Sequence, residues 1–340
     1  GTPIWQRRLT GPAALSSAKR NRLVLYRSTS VDGRPTAVSG TVAIPKGKPP
    51  KGGWPVISWA HGTTGIADAC APSRARSRLG GDPALLNRWL KAGYAVVRTD
   101  YEGLGTPGDH PYLIGVSEGR SVLDIVRAAR RLDRRIGKRL VVAGHSQGGH
   151  AALWAAALHR SWTPELKLRG TLAFAPASHI GDQTRLLSAL NQPSPISGLA
   201  ALIVRGLDVA RPDLNVAAGL SDRAAALYPQ VSSACIGELM APSSFGGLAP
   251  AELFKPGAAT DAIVAALDAN DPETLRIRGP VRIEQGTDDT IVFANFTQSL
   301  ASKLKADVTL RTYRGLGHGE IVRDRRPVAD ATKFLRARLR

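Results

Sequence analysis

Leu140-Val141-Val142-Ala143-Gly144-His145-Ser146-Gln147-Gly148-Gly149-His150 is the stretch that decides the fold. The β-branched pair Val141-Val142 reads as a buried strand, and Ala151-Ala152-Leu153-Trp154-Ala155-Ala156-Ala157-Leu158 reads as a helix. Only Gly-His-Ser-Gln-Gly separates them, so strand, sharp turn and helix follow one another with Ser146 at the apex. A turn this tight strains the serine backbone and needs small neighbours where strand and helix approach. It also lifts the hydroxyl clear and points the Gln147 amide to where an oxyanion would develop. The bare Gly-x-Ser-x-Gly spacing arises by chance. Its setting between a buried strand and an alanine-rich helix makes it a nucleophile rather than a glycine-rich turn.

Strand and helix alternate on both sides of this elbow. Arg22 to Ser28 and Thr36 to Ile44 form a hairpin pair around Asp32-Gly33-Arg34-Pro35, and Pro55 to Ala60 forms a buried strand ending at His61-Gly62-Thr63-Thr64-Gly65. Asp82-Pro83 starts a helix that Gly93 ends, and Tyr94 to Val97 forms the next strand. A basic amphipathic helix opens at Ser117, with Val122, Ile125, Val126, Ala129, Leu132 and Ile136 at helical spacing. Further strands fall at 170–176, 280–285 and 308–313, with helices through 296–304 and at the end of the chain. The pattern demands an α/β fold, a mostly parallel central sheet with helices on both faces. The site then belongs at the carboxyl ends of the strands. Residues 1–20 read as an irregular arm. From about Ser178 to Arg278 the rhythm stops, leaving loops and short helical pieces (199–207, 222–227, 260–269) too rich in Leu, Ala and Ile for a disordered linker. The domain reading is therefore a core in two parts, 1–177 and 279–340, with a helical cap at 178–278 inserted over the pocket.

Composition narrows the function. The chain has 340 residues, 43% apolar content and a formal net charge of +19. The densest basic cluster, Arg127 to Arg139, occupies the wet face of the amphipathic helix, and aromatics make up only 5%. No basic-aromatic interleaving offers a base-stacking platform, so nucleic acid is not an expected partner. No apolar run approaches the ~20 residues of a membrane span. The first residues carry no signal-type apolar segment, and the expectation is a secreted protein whose signal has been removed. Cys70 and Cys235 have no metal-type spacing, sit in polar loop-like surroundings, and are the candidate disulfide of an exported chain.

A serine hydroxyl needs an imidazole to take its proton and a carboxylate to orient that imidazole. Of the seven histidines, His61, His145 and His150 lie beside motif glycines and have structural explanations. His110 and His179 sit in loops, and His159 ends a helix. His318 stands in the small-residue loop Gly315-Leu316-Gly317-His318-Gly319, just after the last predicted strand, and is the expected base. Gln285-Gly286-Thr287-Asp288-Asp289 leaves the preceding strand with two adjacent carboxylates, which the residues alone do not separate. The order Ser, acid, His matches an α/β-hydrolase arrangement. Gln147 N–H is the first oxyanion donor by position, and the backbone at Thr63 or Thr64 is the second by the same logic.

Several motifs together resemble the secretory lipase family of fungi and actinobacteria. They are Ala60-His61-Gly62-Thr63-Thr64-Gly65 with Ala69-Cys70-Ala71-Pro72-Ser73, Asp100-Tyr101-Glu102-Gly103-Leu104-Gly105-Thr106-Pro107-Gly108, His110-Pro111-Tyr112, the elbow, and Gly286-Thr287-Asp288-Asp289. The resemblance runs from about residue 55 to 320. It implies Asp289 as the acid, through the family pattern Gly-Thr-x-Asp, and Asp100 as an alternative second oxyanion donor. It also implies a helical cap and hydrolysis of lipid or lipid-like carboxylic esters, without metal or organic cofactor. Adsorption to lipid interfaces would fit such a substrate. Amide cleavage or acyl transfer by the same triad, or a polyester substrate, are the nearest alternatives. The chain departs from the family where a proline often follows the acid loop: here Val292-Phe293 stands instead.

Overall fold

A computed structural model of the chain describes residues 1–74, 83–258 and 260–340. The first part of the chain forms β1 (Pro3–Arg8), β2 (Arg20–Thr29), β3 (Pro35–Ile44), β4 (Trp54–Ala60), α1 (Pro83–Lys91), β5 (Ala95–Thr99), α2 (Gly115–Leu132), β6 (Ile136–His145), α3 (Gln147–Trp162) and β7 (Lys167–Phe174). The last part forms β8 (Arg276–Gly286), α9 (Ala294–Lys303), β9 (Lys305–Tyr313) and α10 (Arg325–Leu339). One sheet has the order β1-β2-β3-β5-β4-β6-β7-β8-β9, antiparallel from β1 through β5 and parallel from β5 to β9. All seven residues of β4 are buried. A run with no alternation is what a strand covered on both faces requires.

The covering is done by two groups of helices. Val122, Ile125, Ala151, Ala155, Leu300 and Leu304 pack α2, α3 and α9 against one face. Leu86, Trp89, Val328 and Leu335 pack α1 and α10 against the other. The strand order turns back on itself between β4 and β6, with β5 on the far side of β4. The loops leaving β4 and β6 therefore part to opposite faces and leave a crevice at their carboxyl ends. Gly62-Thr63 leaves one strand there and Ser146 the other.

Three sequence expectations are corrected. Residues 3–8 are a strand, not part of an irregular arm. They pair with β2 at the sheet edge, and five of the six are exposed, so no burial pattern marks them. The basic helix ends at Leu132, and Ile136 opens β6 instead. Asp133 stops the helix in extended backbone and accepts the Arg135 N–H at 3.0 Å, turning the chain back into the sheet. Cys70 is buried among Ala67, Ala71 and Leu104 rather than in polar surroundings. The expected helix start at Asp82 lies outside the described residues, which resume at Pro83.

Between β7 and β8 the chain forms α4 (Ile180–Leu187), α5 (Ile196–Ala210), α6 (Asp222–Leu227), α7 (Ile236–Leu239) and α8 (Thr260–Asp268), joined by short 3-10 turns. Three match the expected pieces, while α4 carried no clear periodic signal. β8 begins at Arg276, two residues before the expected end of this insertion at Arg278. The insertion has its own core around Leu202, Leu207, Leu239, Phe245 and Leu248. Cys70 and Cys235 are bonded, S–S 2.02 Å, fastening the loop after β4 to the start of α7.

Candidate active site

Ser146 has φ +58° and ψ −121°, a conformation that a non-glycine residue holds only where its surroundings force it. The glycines on either side supply that force. A Cβ at Gly144 would lie 2.0 Å from the Gly148 carbonyl oxygen, and one at Gly148 would lie 2.0 Å from the Ala60 carbonyl oxygen. Helix and strand backbones therefore touch, and the serine between them is pushed outward. Both obstacles are backbone atoms, so relief needs movement of α3 against β4. Gly148→Ala should destabilise by at least about 3 kcal/mol, read as a fall in thermal midpoint; a midpoint at the wild-type value would contradict this packing.

His318 and Asp289 meet at the ends of β9 and β8. The His318 Nδ1–H donates to Asp289 Oδ2 at 2.8 Å. Asp289 Oδ1 accepts the backbone N–H groups of Ile291 at 2.9 Å and Val292 at 2.8 Å. Burial pushes the Asp289 carboxyl up, but the hydrogen bond and charge of His318 and the two amides outweigh it, leaving the group below its ordinary range. Asp288, by contrast, is exposed and accepts from the Thr287 hydroxyl. Of the two adjacent carboxylates, Asp289 alone is buried and faces His318. The Val292 departure also has a use: its N–H is one that proline lacks.

His145 sits behind His318 with ring centroids 4.5 Å apart, and its Nε2–H donates to the His318 carbonyl at 2.8 Å. Burial, then the neighbouring His318, push its pKa down to about 3 from 6.5. The unfolded chain takes up the proton between those values and the folded chain does not, so the folded state loses stability as pH falls through that window. The His145 ring should show no titration by NMR from pH 8 down to about pH 4; a midpoint near pH 6 would contradict this lowered value.

Ser146, His145, His318, Gly62 and Thr63 line one cavity of about 710 Å³, roofed by the insertion and walled by Ile180, Leu199, Ile203, Leu253 and Val264 among others. Its volume and apolar walls are ordinary for a small-molecule site. No hydrogen bond joins the Ser146 hydroxyl to His318; such bonds are often long in unliganded sites. Gln147 is the first residue of α3, where a backbone N–H has no helical acceptor.

The two alternatives for a second donor separate. Thr63 follows Gly62, where a Cβ would be 3.6 Å from the Ser146 Cβ, and lines the same cavity as Ser146. Its hydroxyl is hydrogen-bonded to the buried Tyr112 hydroxyl at 2.6 Å, and no described residue accepts its N–H. Asp100 is committed elsewhere and is corrected as a donor. Its N–H donates to the Ser39 carbonyl at 2.9 Å. Its carboxylate accepts from Ser39 Oγ at 2.6 Å, Ser73 N–H at 2.9 Å and Ser73 Oγ, and it is not on the cavity wall.

A buried polar group around Glu118 went unnoticed in the sequence. Glu118, His110, His150 and the Gln147 side chain are all at most 2% exposed and hydrogen-bonded together directly beneath the elbow. The signal was present: 118, 122, 125 and 129 share the apolar face of α2, and only 118 carries a charge.

Comparisons with known proteins agree with this architecture. Residues 75–305 match the secretory lipase family. Lipase A of Moesziomyces aphidis is 31% identical over 207 residues, 56% of this chain and 41% of that one. A Mycobacterium tuberculosis relative, named "Probable inactive lipase MT1628", is 30% identical over 203 residues, 56% of this chain and 44% of that one. The matches thus span less than half the length of these curated relatives. The solved structure of the rice cell wall degrading esterase LipA from Xanthomonas oryzae superposes with a TM-score of 0.82, 21% identity and 99% of both chains covered, which establishes a shared fold. An α/β-hydrolase sheet, an elbow serine under a helical insertion and a family match over two thirds of the chain's length lead to one assignment: this chain belongs to the secretory lipase family.

Proposed function

We propose that this chain is a secreted serine hydrolase of carboxylic esters, working through an acyl-enzyme. Ser146 Oγ attacks the ester carbonyl while His318 Nε2 takes its proton. Asp289 holds the Nδ1–H tautomer and balances the charge of the imidazolium. The N–H groups of Gln147 and Thr63 receive the oxyanion. Collapse of the tetrahedral intermediate releases the alcohol, which takes its proton from His318. Water then attacks the acyl-enzyme through the same base and releases the acid. The observation that carries the reading is the strained Ser146 facing one apolar cavity together with a carboxylate-oriented His318. The cavity walls favour lipid-like acyl groups. Leu186 and Leu190, 58% and 44% exposed beside cavity-lining Leu187 and Ser188, favour contact with a lipid surface. The family's secretory character and the Cys70–Cys235 bond favour an extracellular setting.

The test is turnover of p-nitrophenyl esters from acetate to palmitate, alongside labelling by a fluorophosphonate. Ser146-dependent turnover and labelling are expected, with the optimum reporting how much chain the cavity takes. Folded protein that neither turns over any ester nor labels would overturn the proposal and leave an inactive hydrolase fold used as a binding module.

A further inference from the structure

We propose that Glu118 is a positioning residue for the oxyanion hole, acting through the side chain of Gln147; this rests on the ester-hydrolase reading above. The backbone N–H of Gln147 is the donor by position, but an isolated first residue of a helix is free to fray. Here its side chain is anchored twice from below. The Gln147 amide nitrogen donates to Glu118 Oε1 at 2.7 Å and to His110 Nε2 at 2.9 Å. Those two bonds use both of its N–H groups.

The anchor points are themselves fixed. Glu118 Oε1 also accepts the Leu113 N–H at 3.1 Å, and Oε2 faces His150 Nδ1 at 3.1 Å. His110 Nδ1–H donates to the Glu102 carbonyl at 2.9 Å, which leaves Nε2 as the acceptor that Gln147 needs. Burial pushes the His110 pKa down to about 4, so that tautomer persists through the neutral range. The far nitrogen of His150 reaches the Asn270 carbonyl at 3.0 Å, at the return stalk of the insertion. A buried carboxylate is costly unless fully hydrogen-bonded, and an apolar side chain of similar volume would serve packing alone better. What Glu118 holds instead is the residue one step past the nucleophile, which it shares with His110 of the loop after β5, while His150 ties Glu118 on to the Asn270 carbonyl in the insertion.

The substitutions are Glu118→Gln, which keeps the shape and removes the charge, and Gln147→Met, which keeps the backbone amide and removes both side-chain donors. Two readouts are needed: kcat and KM on a p-nitrophenyl ester, and hydrogen exchange of the peptide covering 145–153. Exchange in that peptide should quicken in both variants. Turnover should drop by about 10- to 100-fold in kcat for Gln147→Met and about 10-fold for Glu118→Gln, with KM within about twofold; complete loss of one oxyanion donor costs about 10²- to 10³-fold. Purely structural damage would instead lower the folded fraction and leave kcat per labelled site unchanged. If Gln147→Met does not fold, Glu118→Gln decides. Wild-type kcat in the folded variants, a loss confined to KM, or unaltered exchange overturns the proposal. Wild-type protein inactive on every ester sinks the hydrolase reading, and exchange alone then decides whether Glu118 fixes the amide.

Discussion

Ser146→Ala should lose turnover by about 10⁴-fold or more, with the fold intact. Alanine keeps the Cβ, so the backbone strain at φ +58° is unchanged. The lost hydroxyl makes no hydrogen bond among the described residues, so its removal orphans no buried partner. Only the nucleophile is gone. Remaining catalysis would come from the cavity and the amide donors holding an ester near water, which is small. The measurement is kcat on the best p-nitrophenyl ester, with thermal midpoint and circular dichroism as controls. Retention of more than about one hundredth of wild-type kcat would mean that another group attacks.

Asp289→Asn should cost about 10⁴-fold in kcat for a different reason. The Oδ1 position would still accept from Ile291 and Val292, so the loop should hold its shape. At Oδ2, however, an amide N–H₂ would replace an acceptor facing His318 Nδ1. The ring would have to turn its lone pair to that amide and carry its proton on Nε2, where it cannot take one from serine. Asp288→Asn is the control: that carboxylate is exposed and touches only the Thr287 hydroxyl, so its loss should leave kcat within about twofold. Equal effects from the two substitutions would refute the assignment of the acid.

The elbow, the hairpin, the parallel strands and the loop that carries His318 were legible because each rests on local pattern: β-branched runs, turn glycines, a small-residue loop after a strand. What was not legible rests on partners distant in sequence. Nothing local tells Asp289 from Asp288, because the difference is which one faces a loop about thirty residues on and which accepts two amides. Asp100 looked available as a donor until Ser39, on a neighbouring strand, was found to hold its N–H. The edge strand at 3–8 carries no burial pattern, since pairing rather than packing holds it. Glu118 could have been found, by asking why a charge lies on the apolar face of α2.

The disulfide gives the roof of the cavity a fixed jamb. Cys235 is bonded to Cys70, bridges Gly65 in backbone pairing, and is followed by Ile236, whose N–H donates to the Thr64 carbonyl at 2.9 Å. This seam runs beside Thr63, so α7 cannot swing away without dragging the loop after β4 with it. Reducing the bond would loosen that jamb, and with Thr63 receiving the oxyanion as proposed, the defect would appear in the rate of the chemical step.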